Sequence, residues 1–152
     1  MRPLAGKLAG HEQGAAVIEL ALAMPFLALL VIGMVQLSNG YSTKLQVEQL
    51  AQRVVEEWQG TSFDTTQTST YQSEAATAAG VATSAVTVDY WLECNGTRQP
   101  SYSSTCASGQ VYDRYASIDI QKNFTPMFSL TAFTGGSGGS YTIHGRAGIR
   151  FQ

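Results

Sequence analysis

From Ala15 to Leu37 the chain runs through 23 residues in which Glu19 is the single charge and Gln36 the remaining strongly polar side chain. A helix of that length rises about 34 Å, against a bilayer hydrocarbon core of about 30 Å. Because the run is apolar on every side, it has no face to leave in water, and the sequence predicts a membrane-spanning helix over residues 15–37. It is too long for the core of an ordinary signal peptide, and no Ala-x-Ala site closes it, so secretory cleavage behind it is not expected.

Glu19 demands an explanation. A carboxylate near the centre of a bilayer costs about 2.5 kcal/mol or more, and less near the ends of the span. A glutamate reaching for the headgroups would serve, but the residues before it, Gly14-Ala15-Ala16-Val17-Ile18, suggest something more specific. Gly14 followed by an apolar stretch with Glu19 as the fifth residue after the glycine resembles the cleavage and assembly motif of type IV pilin-like proteins. The longer string from Gly14 to Leu22, with Pro25 shortly after and Gly33 further on, is similar to the TadE-like pseudopilins, or minor pilins, of the bacterial tight-adherence (Tad, Flp) pilus system. The resemblance is specific over about residues 14–40 and loose beyond them.

The resemblance implies a prepilin peptidase that cuts after Gly14, releasing residues 1–14 as a leader and leaving Ala15 as the new N-terminus. It also implies other pilin or pseudopilin subunits and the pilus assembly platform as partners, and Glu19 and Pro25 as assembly residues. As a family, Tad major pilins are much shorter than this chain, so an added domain of roughly 90 residues points to a minor component that initiates, assists or caps the filament. The motif has a physical sense of its own. Cutting at Gly14 would place an ammonium at Ala15, and a buried carboxylate becomes tolerable when an opposite charge lies within a few ångströms. An ammonium supplied by a neighbouring subunit would set the axial register of one helix against the next.

Charge sets the expected topology. Arg2, Lys7 and the initiating amine precede the span, while Lys44 and Arg53 follow it among Glu48, Glu56 and Glu57. A short basic tail stays cytoplasmic, which puts the remainder in the periplasm of a single-pass inner-membrane protein in contact with lipid. Pro25 lacks an N–H and its ring meets the carbonyl of Ala21, so a kink or local melting is expected over residues 21–25, unless the membrane helix simply tolerates the proline.

Past the apolar run the helical period continues. Val47, Leu50, Ala51, Val54 and Trp58 recur at three and four residues, with Lys44, Glu48, Gln52 and Glu56 opposite, so residues 38–59 read as an amphipathic continuation that Gly60 ends. Thr61 to Thr70 reads as a polar linker with little to bury. A short Ala-rich helix follows, with Ser69 and Gln72 spaced as a capping box and Gly80 as a stop. Three stretches then alternate with period two: Val86, Val88, Tyr90 and Leu92; Ala116, Ile118 and Ile120; and Tyr141, Ile143, Gly145, Ala147, Ile149 and Phe151. Covered by the stripe ending at Trp58, they predict an α+β, pilin-like fold: a long N-terminal helix on a small antiparallel sheet of about three strands, within a domain spanning residues 60–152. Between the second and third strands, Thr125 to Gly139 carries Phe128, Leu130, Phe133 and a glycine-rich run. Its aromatic part is either folded onto the core or an exposed patch for a neighbouring subunit.

Cys94 and Cys106 lie 12 apart in a polar stretch. A lone pair cannot make a four-ligand zinc site, and outside the cytoplasm a disulfide is the simplest reading, worth about 3 kcal/mol in the chain-entropy model. Asn95-Gly96-Thr97 fits a glycosylation sequon, but its Asn-Gly step is more simply a turn within the disulfide loop. The net charge of −2 with 13% charged residues makes no electrostatic case for nucleic acid. Catalysis is not expected, nor a metal, cofactor or small-molecule substrate. A histidine triad would rest on His144 alone, on a polar strand face beside Arg146, while Asp113, Arg114, Asp119 and Lys122 read as solvated strand charges. Against the pilin reading stands a second one, an uncleaved membrane-anchored periplasmic binding or scaffold module of a secretion or envelope complex.

Overall fold

A computed structural model describes residues 9–61, 63–127 and 139–151. Helix α1 spans Ala9–Thr61, and by its packing the chain divides into two compact units, Met1–Asn39 and Gly40–Gln152. In the first unit α1 passes through Pro25 without a break, so the expected local melting is absent. One proline removes a single N–H, and the ladder of bonds on either side holds the helical path. The helix also starts earlier than Ala15 and runs one residue past Gly60, where its end had been expected.

The second unit contains the rest of α1, then α2 (Thr68–Ala79), β1 (Val86–Cys94), β2 (Thr97–Arg98), β3 (Tyr112–Phe124) and β4 (Tyr141–Phe151). The strands form one antiparallel sheet in the order β2-β1-β3-β4. The three expected strands are β1, β3 and β4. The fourth, β2, has two residues and pairs Cys94 with Thr97 through a tight hairpin. Asn95 and Gly96 take φ of 47° and 76°, the left-handed pair that a two-residue turn needs, so the Asn-Gly step is a turn.

The core lies between one face of the sheet and the α1 segment after Gly40. Val47, Ala51, Val55 and Trp58 are buried against Val86, Ala116, Ile118 and Ile120, while Leu50 and Val54, expected in the stripe, flank it half-buried. Gly145 on β4 makes this contact possible: a Cβ there would collide with the backbone carbonyl and side chain of Val47. Lys44, ion-paired with Glu48 at 2.7 Å, also donates from Nζ to the His144 carbonyl at 2.6 Å, tying the helix to the same strand.

The linker after α1 departs from its reading. Phe63 stacks in an aromatic cluster with Trp58, Tyr71, Tyr90 and Phe151 at centroid distances of 5.0, 5.6, 5.7 and 5.9 Å. A single aromatic in a Thr-rich stretch has no periodicity to announce it, yet it joins the helix end to both outer parts of the sheet. Ser69 and Gln72 do not form a capping box. Asp64 caps a 3-10 turn, Thr65–Gln67, that leads into α2, and Gln72 donates to the Val86 carbonyl at 3.4 Å. Gly80, at φ 64°, closes α2 as expected, with its N–H and that of Val81 returning to the carbonyls of Thr77 and Ala76. Ala75, Ala76 and Ala79 give α2 a small-residue face that sits close on β1. The expectations for Phe128, Leu130, Phe133 and the glycine run fall outside the described residues.

Candidate assembly segment and the domain that carries it

The segment that carries the predicted processing and assembly residues is the first half of α1. Its large apolar side chains point outward on all sides: Val17, Leu20, Phe26, Leu30, Met34 and Leu37 are all exposed, Phe26 to 72%. Among the described residues this helix alone is long and apolar enough to cross a membrane. Gly14 lies within α1 with nothing near the position a Cβ would take. Ala15 and Glu19 are one helical turn apart and share a face, so a charge at the backbone nitrogen of residue 15 would be within a few ångströms of the Glu19 carboxylate. Among the described residues Glu19 has no partner in its own chain, and it is exposed. Pro25, six residues on, leaves the Ala21 carbonyl without its helical donor.

The second group of predicted residues lies in the β domain. Cys94 and Cys106 are joined by a disulfide, with Cα atoms 5.6 Å apart, which pins the segment after β2 to the end of β1. Close by, Tyr102 packs edge-on against Tyr90 and under the Arg114 guanidinium, 5.4 Å away. Burial pushes the Tyr102 phenol above its usual range, and the Arg114 charge partly offsets this. Arg114 is therefore no solvated strand charge. It lies on the core-facing side of β3, and its Nε is buried without a hydrogen-bond partner among the described residues.

His144 acquires a partner that sequence distance concealed. Asp119 on β3 stands within 3.0 Å of its Nδ1 and accepts from Arg146 Nε at 3.1 Å. The register places Asp119 opposite Arg146 with His144 beside it, so one carboxylate is shared between the Arg146 guanidinium and the His144 ring. The same outer face carries Arg98 bridging to Asp89 at 3.1 Å and lying over Trp91, which stacks on Tyr115. Lys122 reaches back to donate to the Ala79 carbonyl at the end of α2, at 2.8 Å, so it too is engaged. This pattern is a cross-strand lattice of ion pairs and hydrogen bonds, each exposed pair contributing about 0–1 kcal/mol. Among the described residues no three His, Cys, Asp or Glu side chains gather as a metal site would require.

No curated protein and no solved structure matches the chain. A match to a protein-family model lies in the helix. It starts at Gly14, runs through the apolar segment and stops short of Trp58, leaving the sheet outside it. Over residues 14–55 the chain matches the model of the TadE-like protein family.

Proposed function

We propose that this chain is a minor pilin or pseudopilin of a Tad-type pilus, held as a single-pass inner-membrane protein and clipped after Gly14 before it assembles. The TadE-like match supports a pilus-associated, structural role. The observation that carries the reading is the coincidence of that match with a helix exposed and apolar all round, bearing one carboxylate a turn beyond the cleavage position. Cleavage would create the Ala15 ammonium. In a packed array of such helices the Glu19 carboxylate would gain an opposite charge and lose its desolvation penalty. Prepilin peptidase, other pilin-like subunits, the assembly platform and lipid are the partners this reading requires. The N-terminus would face the cytoplasm, with the β domain in the periplasm as the part that gives the subunit its specific contacts.

N-terminal sequencing of the membrane-extracted protein tests the processing step: Ala15 as first residue supports it, and Met1 would leave an uncleaved anchor. Assembly is tested separately with Glu19→Gln. The variant should reach the membrane in normal amounts yet enter filaments at least about tenfold less, since a lost buried charge pair is worth several times the 1.4 kcal/mol per decade. Parental incorporation of Glu19→Gln would remove Glu19 from the assembly machinery.

A further inference from the structure

The chain carries 9 Lys and Arg and 11 Asp and Glu, yet two long stretches, Leu20–Thr43 and Asn123–Ile143, contain none of them. Far apart in sequence, they meet in the fold: the Phe124 ring lies 3.7 Å from the position of a Cβ on Gly40. Tyr141 pairs with Phe124 across the ends of β3 and β4. Around this contact Tyr41, Met127 and Tyr141 are 63, 75 and 64% exposed, with Leu45 partly so. The neighbouring cations are turned to other tasks, Lys44 on Glu48 and the His144 carbonyl, Lys122 on the Ala79 carbonyl. The opposite end of the sheet is unlike it, with Glu93, Arg98, Asp113 and Arg150 among its residues.

We propose that this uncharged end of the β domain is a membrane-contact surface that seats the domain on the lipid headgroup region, with Tyr41 and Tyr141 as its interfacial anchors. The inference rests on the reading of residues 15–37 as the span. Tyr41 follows Leu37 by four residues, so the covalent chain alone holds it within about 14 Å of the end of that span. Tyrosine suits that depth because its ring enters the acyl boundary while its hydroxyl stays hydrated. A lipid surface asks for apolar area without charge beside a membrane span, and the described part of this patch meets both conditions.

The test uses the full chain in nanodiscs, labelled with 3-fluorotyrosine, with and without a lipid carrying a nitroxide near its headgroup. Resonances are assigned with Tyr41→Phe, Tyr112→Phe and Tyr141→Phe. Tyr112 is the internal control: it is 52% exposed but lies at the other end of β3, about 40 Å from Phe124 at about 3.3 Å per residue. Tyr41 should broaden through its nearness to the span alone, so Tyr141 decides. Broadening of Tyr141 several-fold beyond Tyr112 is the expected result. Tyr141 no broader than Tyr112, in a chain whose Tyr41 is broadened, would overturn the surface and leave the span intact. A chain that fails to enter the disc at all would overturn the span as well.

Discussion

The two halves of α1 have the same backbone and opposite surroundings. From Gly14 to Asn39 the helix is apolar on nearly every side and leaves most of that surface exposed; after Gly40 it is apolar on one stripe, whose centre is buried at Val47, Ala51, Val55 and Trp58. Backbone hydrogen bonds are satisfied equally in both, so they cannot account for the difference. It comes from where the side chains find an apolar medium. The second half finds it in the sheet, through Val47, Ala51, Val55 and Trp58. The described part of the first half has no such cover within its own unit, a surface compatible with a single-pass membrane anchor.

This contrast can be broken most severely at Trp58. Replacing it with alanine should cost the β domain about 3–5 kcal/mol, because a fully buried ring between Phe63 and Tyr71 leaves a cavity. Phe26→Ala, also an aromatic ring deletion but in the first half, should leave domain stability within about 0.5 kcal/mol. Denaturant melts of the two variants in detergent, followed by tryptophan fluorescence for Phe26→Ala and by circular dichroism for both, check the pair. Equal losses would mean the two halves share one core.

Next in size is the disulfide. Cys94→Ser with Cys106→Ser should lower stability by about 3 kcal/mol in the loop-entropy picture, and reduction of the parent should do the same. The measurement is a melt with and without reductant, and insensitivity of the double variant to reductant is the internal control. Gly145→Ala should follow at about 1–3 kcal/mol. The added methyl drives into the Val47 carbonyl, and backbone cannot swing aside as a side-chain tip can. Gly33→Ala, where nothing stands near, should be close to neutral in the same melt.

The smallest effect is electrostatic. The backbone N–H of Thr66, and then its hydroxyl, hold the Asp64 carboxyl below its ordinary value. A group whose folded pKa is depressed adds stability above its unfolded pKa and loses it as pH falls through the folded value. The contribution should therefore be complete above about pH 4 and disappear in more acid solution. Asp64→Asn keeps a neutral cap acceptor and should flatten that acid limb of the stability curve by lowering the neutral value toward the level the limb reaches in acid. An unchanged acid limb would show that Asp64 does not carry it.

Much of this architecture could be read from residue order. Period-two alternation marked β1, β3 and β4, and Gly80 and Asn95-Gly96 marked a helix stop and a turn through backbone conformations that few other residues adopt. The misses share one cause. Phe63 in a polar linker, Asp119 as the partner of His144, and Arg114 over Tyr102 each draw their meaning from a residue many positions away. A local pattern cannot contain that information. Val55 was overlooked for a related reason: it sits at the margin of the helical stripe, and only the width of the sheet decides that it is covered.

Residue order by itself determined that this chain has an apolar rod with a lone acid near its start and an amphipathic extension behind it, because helical period and hydrophobicity are properties of neighbours. Tertiary structure alone decided that two uncharged stretches far apart would meet at Gly40 and Phe124, and that a glycine on the last strand would admit the helix backbone. Such juxtapositions follow from strand register and close packing, which become definite only when the whole domain is assembled.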